Sequence, residues 1–215
     1  MDILLTNEEI RVLGCLMEKE MATPEYYPLS INALINACNQ KSNRDPVTSY
    51  SEGMVASALE GLRKKKLAME SSGSRVARYA QTFSNEYTLK RSEGAVMCIL
   101  FVRGPQTMGE IRSRTDRLYP FASLEEVQVT ISNLERVGLV IKLERQPGRK
   151  EHRYAHLLAG EQDIETHEDI TQLDAAQKSP DDEDNLNLLK DEITMLREEL
   201  SDLKKEFEAF KAQFG

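Results

Sequence analysis

Residues 9–16 read EIRVLGCL and residues 93–100 read EGAVMCIL, with apolar side chains at matching places. This internal repeat constrains the fold more than any other feature of the chain, because each copy opens the same series of signals. In the first copy Thr6 and Glu9 have the spacing of a capping box, and Ile10, Leu13, Leu16 and Met17 follow as one apolar helix stripe. TPEYYP breaks the chain, and Ser30 opens a second helix through Leu34, Ile35 and Cys38. After a polar connection, Ser49 with Glu52 predicts a second capping box and a third helix with Val55, Leu59 and Leu62 inward, ending in RKKK. LAMESSGSRVARYAQTF then reads as two short strands joined by a Ser/Gly turn.

The second copy repeats the order. GPQT is the break, MGEIRSR the short helix and TDRLYPFA the connection. Ser123 and Glu126 predict the cap of a helix through Val127, Ile131, Leu134 and Val137. LVIKLERQPGRKEHRYAHLL is again strand, turn and strand, with Pro147 and Gly148 at the tip. Three helices followed by a hairpin is the order of a winged helix. The expected fold class is therefore α+β, mainly helical: two tandem winged-helix domains, 1–85 and 86–160, plus a C-terminal coiled-coil helix. Units of this length are tandem domains rather than solenoid repeats.

The tail carries a different pattern. Residues 161–183 are acidic and poor in large apolar side chains, the composition of a flexible linker. Within 184–215, Leu186, Ile193, Leu200, Phe207 and Phe214 fall at a positions of a heptad, and Leu189, Leu196, Leu203 and Phe210 at d. Lys190, Arg197, Lys204 and Lys211 occupy e; Glu192, Glu199, Glu206 and Gln213 occupy g. Parallel, in-register pairing sets each g glutamate against a basic e residue, whereas antiparallel self-pairing sets like against like. The seam predicts a parallel homo-oligomer, most simply a homodimer, with the phenylalanines leaving the strand number open.

Charge is distributed to match. The whole chain has a formal net charge of −8. Residues 1–85 hold 10 basic and 10 acidic side chains, and 86–160 hold 12 and 9. Residues 161–215 hold 6 and 17, so the acidity belongs to the tail and the body leaves room for a polyanionic partner. No apolar run is long enough to span a membrane, and the start lacks a basic segment followed by an apolar one. Three scattered cysteines, Cys15, Cys38 and Cys98, suit buried thiols in a reduced, cytoplasmic setting.

The connection after the second helix, ACNQKSNRDP, carries more hydrogen-bonding groups than a turn requires. In a winged helix this connection and the wing flank the third helix on the face that usually meets DNA. Asn39, Gln40, Lys41, Asn43 and Arg44 supply it in the first copy; Arg112, Arg114 and Arg117 do so in the second. The hairpins add Arg75, Arg78, Arg145, Arg149, Lys150 and Arg153, with Tyr79 and Tyr154 nearby. Cations beside amides suit phosphate contacts to double-stranded DNA. Against this, Asn-rich loops also satisfy their own backbone, and Asp45 and Asp116 are placed to neutralise neighbouring arginines. The third helices present Ser51, Glu52, Ser57 and Glu60 in one copy and Glu125, Glu126, Gln128, Ser132 and Glu135 in the other. Phosphates repel such helices, so loops and wings are expected to carry DNA binding; a protein partner gripped by the same fold is the alternative. No catalytic motif is present, and His152 and His156 lack a clear third ligand, so neither enzyme chemistry, a metal nor a cofactor is expected.

RVLGCLMEKE, TPEYYPLSINALINACNQKSNRDPV, RGPQTMGEIRSRTDRLYPF and QPGRKEHRYAHLLAGE together resemble the YceH-like family of uncharacterised bacterial proteins over about residues 3–160. The resemblance implies two winged-helix domains and carries over no biochemical activity. It does not reach the linker or the heptad tail.

Overall fold

The computed structural model describes residues 3–71, 76–145 and 151–159. The expected linker and coiled coil, Leu186 to Phe214 included, lie outside the described residues, as do Arg75, Arg149 and Lys150.

The chain is a mixed helix and sheet structure. Its first repeat runs α1 (Asn7–Ala22), a 3-10 turn (Pro24–Tyr26), β1 (Leu29–Ser30), α2 (Ile31–Cys38), α3 (Glu52–Lys64), β2 (Ala68–Ser71) and β3 (Arg78–Gln81). A short α4 (Phe83–Glu86) leads into the second repeat: α5 (Arg91–Arg103), β4 (Gln106–Thr107), α6 (Met108–Arg114), α7 (Leu124–Arg136), β5 (Val140–Lys142) and β6 (Arg153–His156). Each repeat closes a three-stranded antiparallel sheet in the same order, β1-β3-β2 and β4-β6-β5. Leu29 pairs with Tyr79 in the first sheet and Gln106 with Tyr154 in the second. The two-residue strands β1 and β4 are additions to the expected hairpins. Each ends on the residue that caps the following helix, Ser30 and Thr107, where chain-break signals mask so short a strand.

Local signals account for most helix starts. Thr6 and Glu9 form the expected capping box: the Glu9 N–H donates to Thr6 Oγ1 at 3.3 Å and the Thr6 N–H to Glu9 Oε2 at 2.8 Å. Ser30 caps α2. The third helix departs from expectation. Its N-cap is Ser51, accepting from the Met54 N–H at 3.4 Å, and not Ser49. Two serines two residues apart offer the same chemistry, and the fold selects the one that buries Val55, Leu59 and Leu62. Ser123 caps α7 as expected, but Glu126 does not complete the box with the Ser123 N–H; it reaches back to the preceding connection, accepting from Tyr119 Oη at 2.7 Å and the Ala122 N–H at 2.9 Å. Val137 is exposed rather than inward, because it is the C-cap beyond the last helical turn.

The largest helix contact is between α1 and α5, the two copies of the repeated octapeptide. Both are buried around much of their circumference, Glu9–Met17 in α1 and Gly94–Val102 in α5. A β-carbon on Gly14 would stand 2.8 Å from Phe101 Cβ and 2.8 Å from Val102 Cγ1. Glycine mid-helix costs roughly 1 kcal/mol relative to alanine; here it permits the close approach of α5. The Cys98 thiol donates to the Gly14 carbonyl at 3.5 Å across the same contact. One apolar cluster therefore runs through both repeats, and all described residues fall in one compact unit. Cys15, Cys38 and Cys98 are free and buried in it. Burial pushes the Cys98 thiol far above its ordinary range, and the bond with Cys15, together with burial, does the same to Cys38, so both remain protonated.

Candidate nucleic-acid interface

The polar connection 39–50 folds into a braced loop. The Asn39 amide clasps Tyr50 in both directions: Nδ2 donates to the Tyr50 carbonyl at 2.9 Å, and the Tyr50 N–H donates to Asn39 Oδ1 at 2.7 Å. Thr48 Oγ1 donates to the Cys38 carbonyl at 3.1 Å. Arg44 is the centre of the loop, with a side chain fully shielded from solvent. Its Nε donates to the Ala37 carbonyl at 3.0 Å and its Nη1 to the Asn43 carbonyl at 2.8 Å. Nη1 and Nη2 also grip Glu18 of α1 at 3.1 and 2.5 Å. Burial alone would lower the Arg44 pKa, but the Glu18 pair outweighs it and holds the guanidinium protonated.

The loop is also tied to the second repeat. The Asp45 N–H donates to the Val102 carbonyl at 3.0 Å. Asn43, at φ 61°, accepts on Oδ1 from Arg103 Nη2 at 2.5 Å. Asn39, Asn43 and Arg44 thus shape and anchor the loop, leaving half-buried Gln40 and exposed Lys41 at its surface.

The second repeat uses its arginines similarly. Arg112 donates to the Phe121 and Ala122 carbonyls at 3.5 and 3.0 Å. Arg114 donates to Gln106 Oε1 and pairs with Glu110 at 3.4 Å. Arg153 donates to the Pro105 carbonyl at 2.5 Å and meets the same Glu110 at 3.5 Å, so one carboxylate on α6 holds helix and hairpin together. Tyr154 is buried beside it. Arg117 is exposed, and Arg78 is exposed while donating to the Pro28 carbonyl at 2.9 Å. The basic end of α3 is partly engaged: Lys65 pairs with Glu9 at 2.5 Å and Lys64 with Glu60 at 2.7 Å. Among the described candidates, Lys41, Arg78, Arg112, Arg117 and Arg145 are exposed, Arg78 and Arg112 while donating to backbone carbonyls.

Residues 5–149 match the family described as "Protein of unknown function, DUF480". A UPF0502 protein of Solibacter usitatus is 50% identical over 193 residues, covering 89% of this chain and 92% of the relative. The chain belongs to the DUF480 family, whose relatives carry the name UPF0502. The UPF0502 protein of Geobacter sulfurreducens is 53% identical over 171 residues, 78% of each chain. That of Geotalea uraniireducens is 46% identical over 218 residues and covers 100% of both. The YceH-like resemblance is to this same family of bacterial proteins.

The outward side chains of the third helices set limits on what this DUF480 protein grips. Ser51, Glu52, Ser57 and Glu60 of α3 are exposed, as are Glu125, Gln128 and Ser132 of α7, while Glu126 and Glu135 are half-buried. Sequence reasoning missed Arg11 and Glu18. Arg11 sits within the buried run of α1 and donates from Nη2 to the Pro46 carbonyl at 2.6 Å. A charged residue set between the apolar positions Ile10 and Val12 was the signal that could have found it. No helix among the described residues is long and apolar enough to cross a membrane.

Proposed function

We propose that the two repeats are tandem winged helices and that the protein binds duplex DNA as a coiled-coil-linked homo-oligomer, acting as a transcriptional regulator in the cytoplasm. The observation that carries this reading is the twice-repeated helix, strand, helix, helix, hairpin order with its outer strand closing a three-stranded sheet. Fold analogy supplies the function here, and the residues supply the mode. Carboxylates on both third helices disfavour major-groove insertion. Lys41, Arg78 and Arg117 contact phosphates, joined by Arg75, Arg149 and Lys150 of the hairpins, and linkage of four such modules in a dimer raises their effective concentration.

Fluorescence anisotropy with random duplex DNA tests it. Binding is expected to weaken steeply from low to physiological salt. The double substitution Lys41→Gln, Arg117→Gln should make the log–log salt slope shallower by about 1.8, at roughly 0.9 for each phosphate no longer neutralised. Absence of binding at low salt sinks the proposal. Oligomerisation has a separate check in the full-length chain. Leu196→Glu with Leu203→Glu places acidic side chains at two d positions and should reduce the mass in light scattering to that of a monomer. An unchanged mass would move the interface away from the heptads.

A second reading is a non-catalytic adaptor that docks protein on the third helices. Met54, Leu124 and Val129 are exposed there beside Glu52, Glu60 and Glu125, a mixed apolar and acidic surface. Capture of a partner that survives the Lys41/Arg117 substitutions would favour it.

A further inference from the structure

The braced loop, the start of α1 and the end of α5 enclose a cavity of about 260 Å³. Ile10, Leu100, Phe101 and Ala155 give it apolar walls, and Thr48 and Tyr50 contribute polar atoms. Arg11 also lines it and is only 4% exposed. Its Nη2 is engaged by the Pro46 carbonyl at 2.6 Å, but its Nη1 is buried with no hydrogen-bond partner. Among the described residues no carboxylate pairs with this guanidinium within 4.0 Å, in contrast to Arg44, which has Glu18. A buried cation without a counter-charge carries a desolvation penalty, and burial draws the Arg11 pKa down. An orphaned donor on a cation whose side chain lines a small, partly apolar cavity is the arrangement that recognises an organic anion.

We infer that this cavity binds a small monocarboxylate, whose carboxylate oxygen accepts from Arg11 Nη1 while its apolar body lies against Leu100 and Phe101. The volume lies near the lower end of ligand pockets, which run from roughly 300 Å³ upward, and suits a short aliphatic or single-ring acid. Asp45 stands on the cavity rim as an exposed acidic residue and disfavours multiply charged anions. The walls come from both repeats, so an occupant bridges the braced loop to α5. The inference is independent of the DNA reading.

Thermal unfolding of the full-length protein tests it with sodium benzoate and sodium hexanoate at constant ionic strength, and with benzamide and inorganic phosphate as comparisons. A ligand with a dissociation constant of about 1 mM should raise Tm by about 4 °C at about 20 mM. At least one of the two acids should give a saturable rise of this kind, with benzamide and phosphate giving none. Arg11→Gln should abolish the rise while keeping the far-ultraviolet circular dichroism. Ala159 also lines the cavity; Ala159→Leu, which narrows it and leaves Arg11 in place, should abolish the rise too and serves if Arg11→Gln does not fold. No saturable rise with either acid overturns the inference. So does an equal rise with benzamide or phosphate, or a rise that persists in the folded variants.

Discussion

Glu18→Ala should be among the most destabilising single substitutions in this chain, by about 3 kcal/mol. It leaves the Arg44 guanidinium, fully shielded from solvent, without its carboxylate partner. Breaking a buried pair from one side costs roughly 3–5 kcal/mol, and the lower end applies because the Glu18 side chain retains 16% exposure. Arg44→Met removes the charge as well as the donors and should cost less than Glu18→Ala. In the double variant the methionine no longer needs an anion, so much of the Glu18→Ala loss should be recovered. Urea denaturation of the four proteins forms a double-mutant cycle. A coupling energy near zero would show that Arg44 does not depend on Glu18. The same cycle separates two uses of the loop. DNA affinity at low salt should be nearly unchanged in folded Arg44→Met, because the guanidinium faces α1 and not solvent.

That loop also shows where sequence reasoning reaches its limit. Thr6, Ser30, Ser123 and the apolar stripes act within one or two helical turns, so helix starts and the repeat are legible from spacing alone. The role of Arg44 is not. Its partner Glu18 is 26 residues away, and the Arg103 that fixes Asn43 is 60 residues away. A stretch rich in amides and cations has the same composition whether it meets phosphate or braces its own backbone. Only the tertiary contacts distinguish Lys41, left at the surface, from Arg44, enclosed three residues later. Arg153 follows the same rule, because the Pro105 carbonyl and Glu110 reach it only after β6 has docked on α6 and β4. Arg11 is the converse case. It stands in a helix whose apolar stripe is obvious, and nothing local to it signals that α1 will be enclosed on a second side by α5.

Phe83→Ala should lower stability by about 3–5 kcal/mol, the general cost of truncating a buried phenylalanine. Phe83 is fully buried on α4, between the two repeats. Its ring lies 4.7 Å from that of Tyr87 and 5.5 Å, edge to face, from that of Phe101 on α5. Phe101 in turn contacts His156 of β6 at 5.1 Å and abuts Gly14 of α1. Aromatic packing therefore runs from the junction into the second repeat, and Phe101 carries the contact on to α1 of the first. The missing ring should lower Tm by about 10 °C, taking roughly 2–4 °C per kcal/mol for a chain of this size. The shape of the transition is as informative as its shift. Two tandem domains with separate cores would unfold in two steps, and the substitution would displace the steps unequally. A core shared through the α1–α5 contact requires calorimetry to show a single peak for the described unit in the parent protein, displaced as a whole in the variant. A parent scan that resolves two peaks, with only one moved by Phe83→Ala, would mean that the repeats fold independently and that the α1–α5 contact contributes little to their stability.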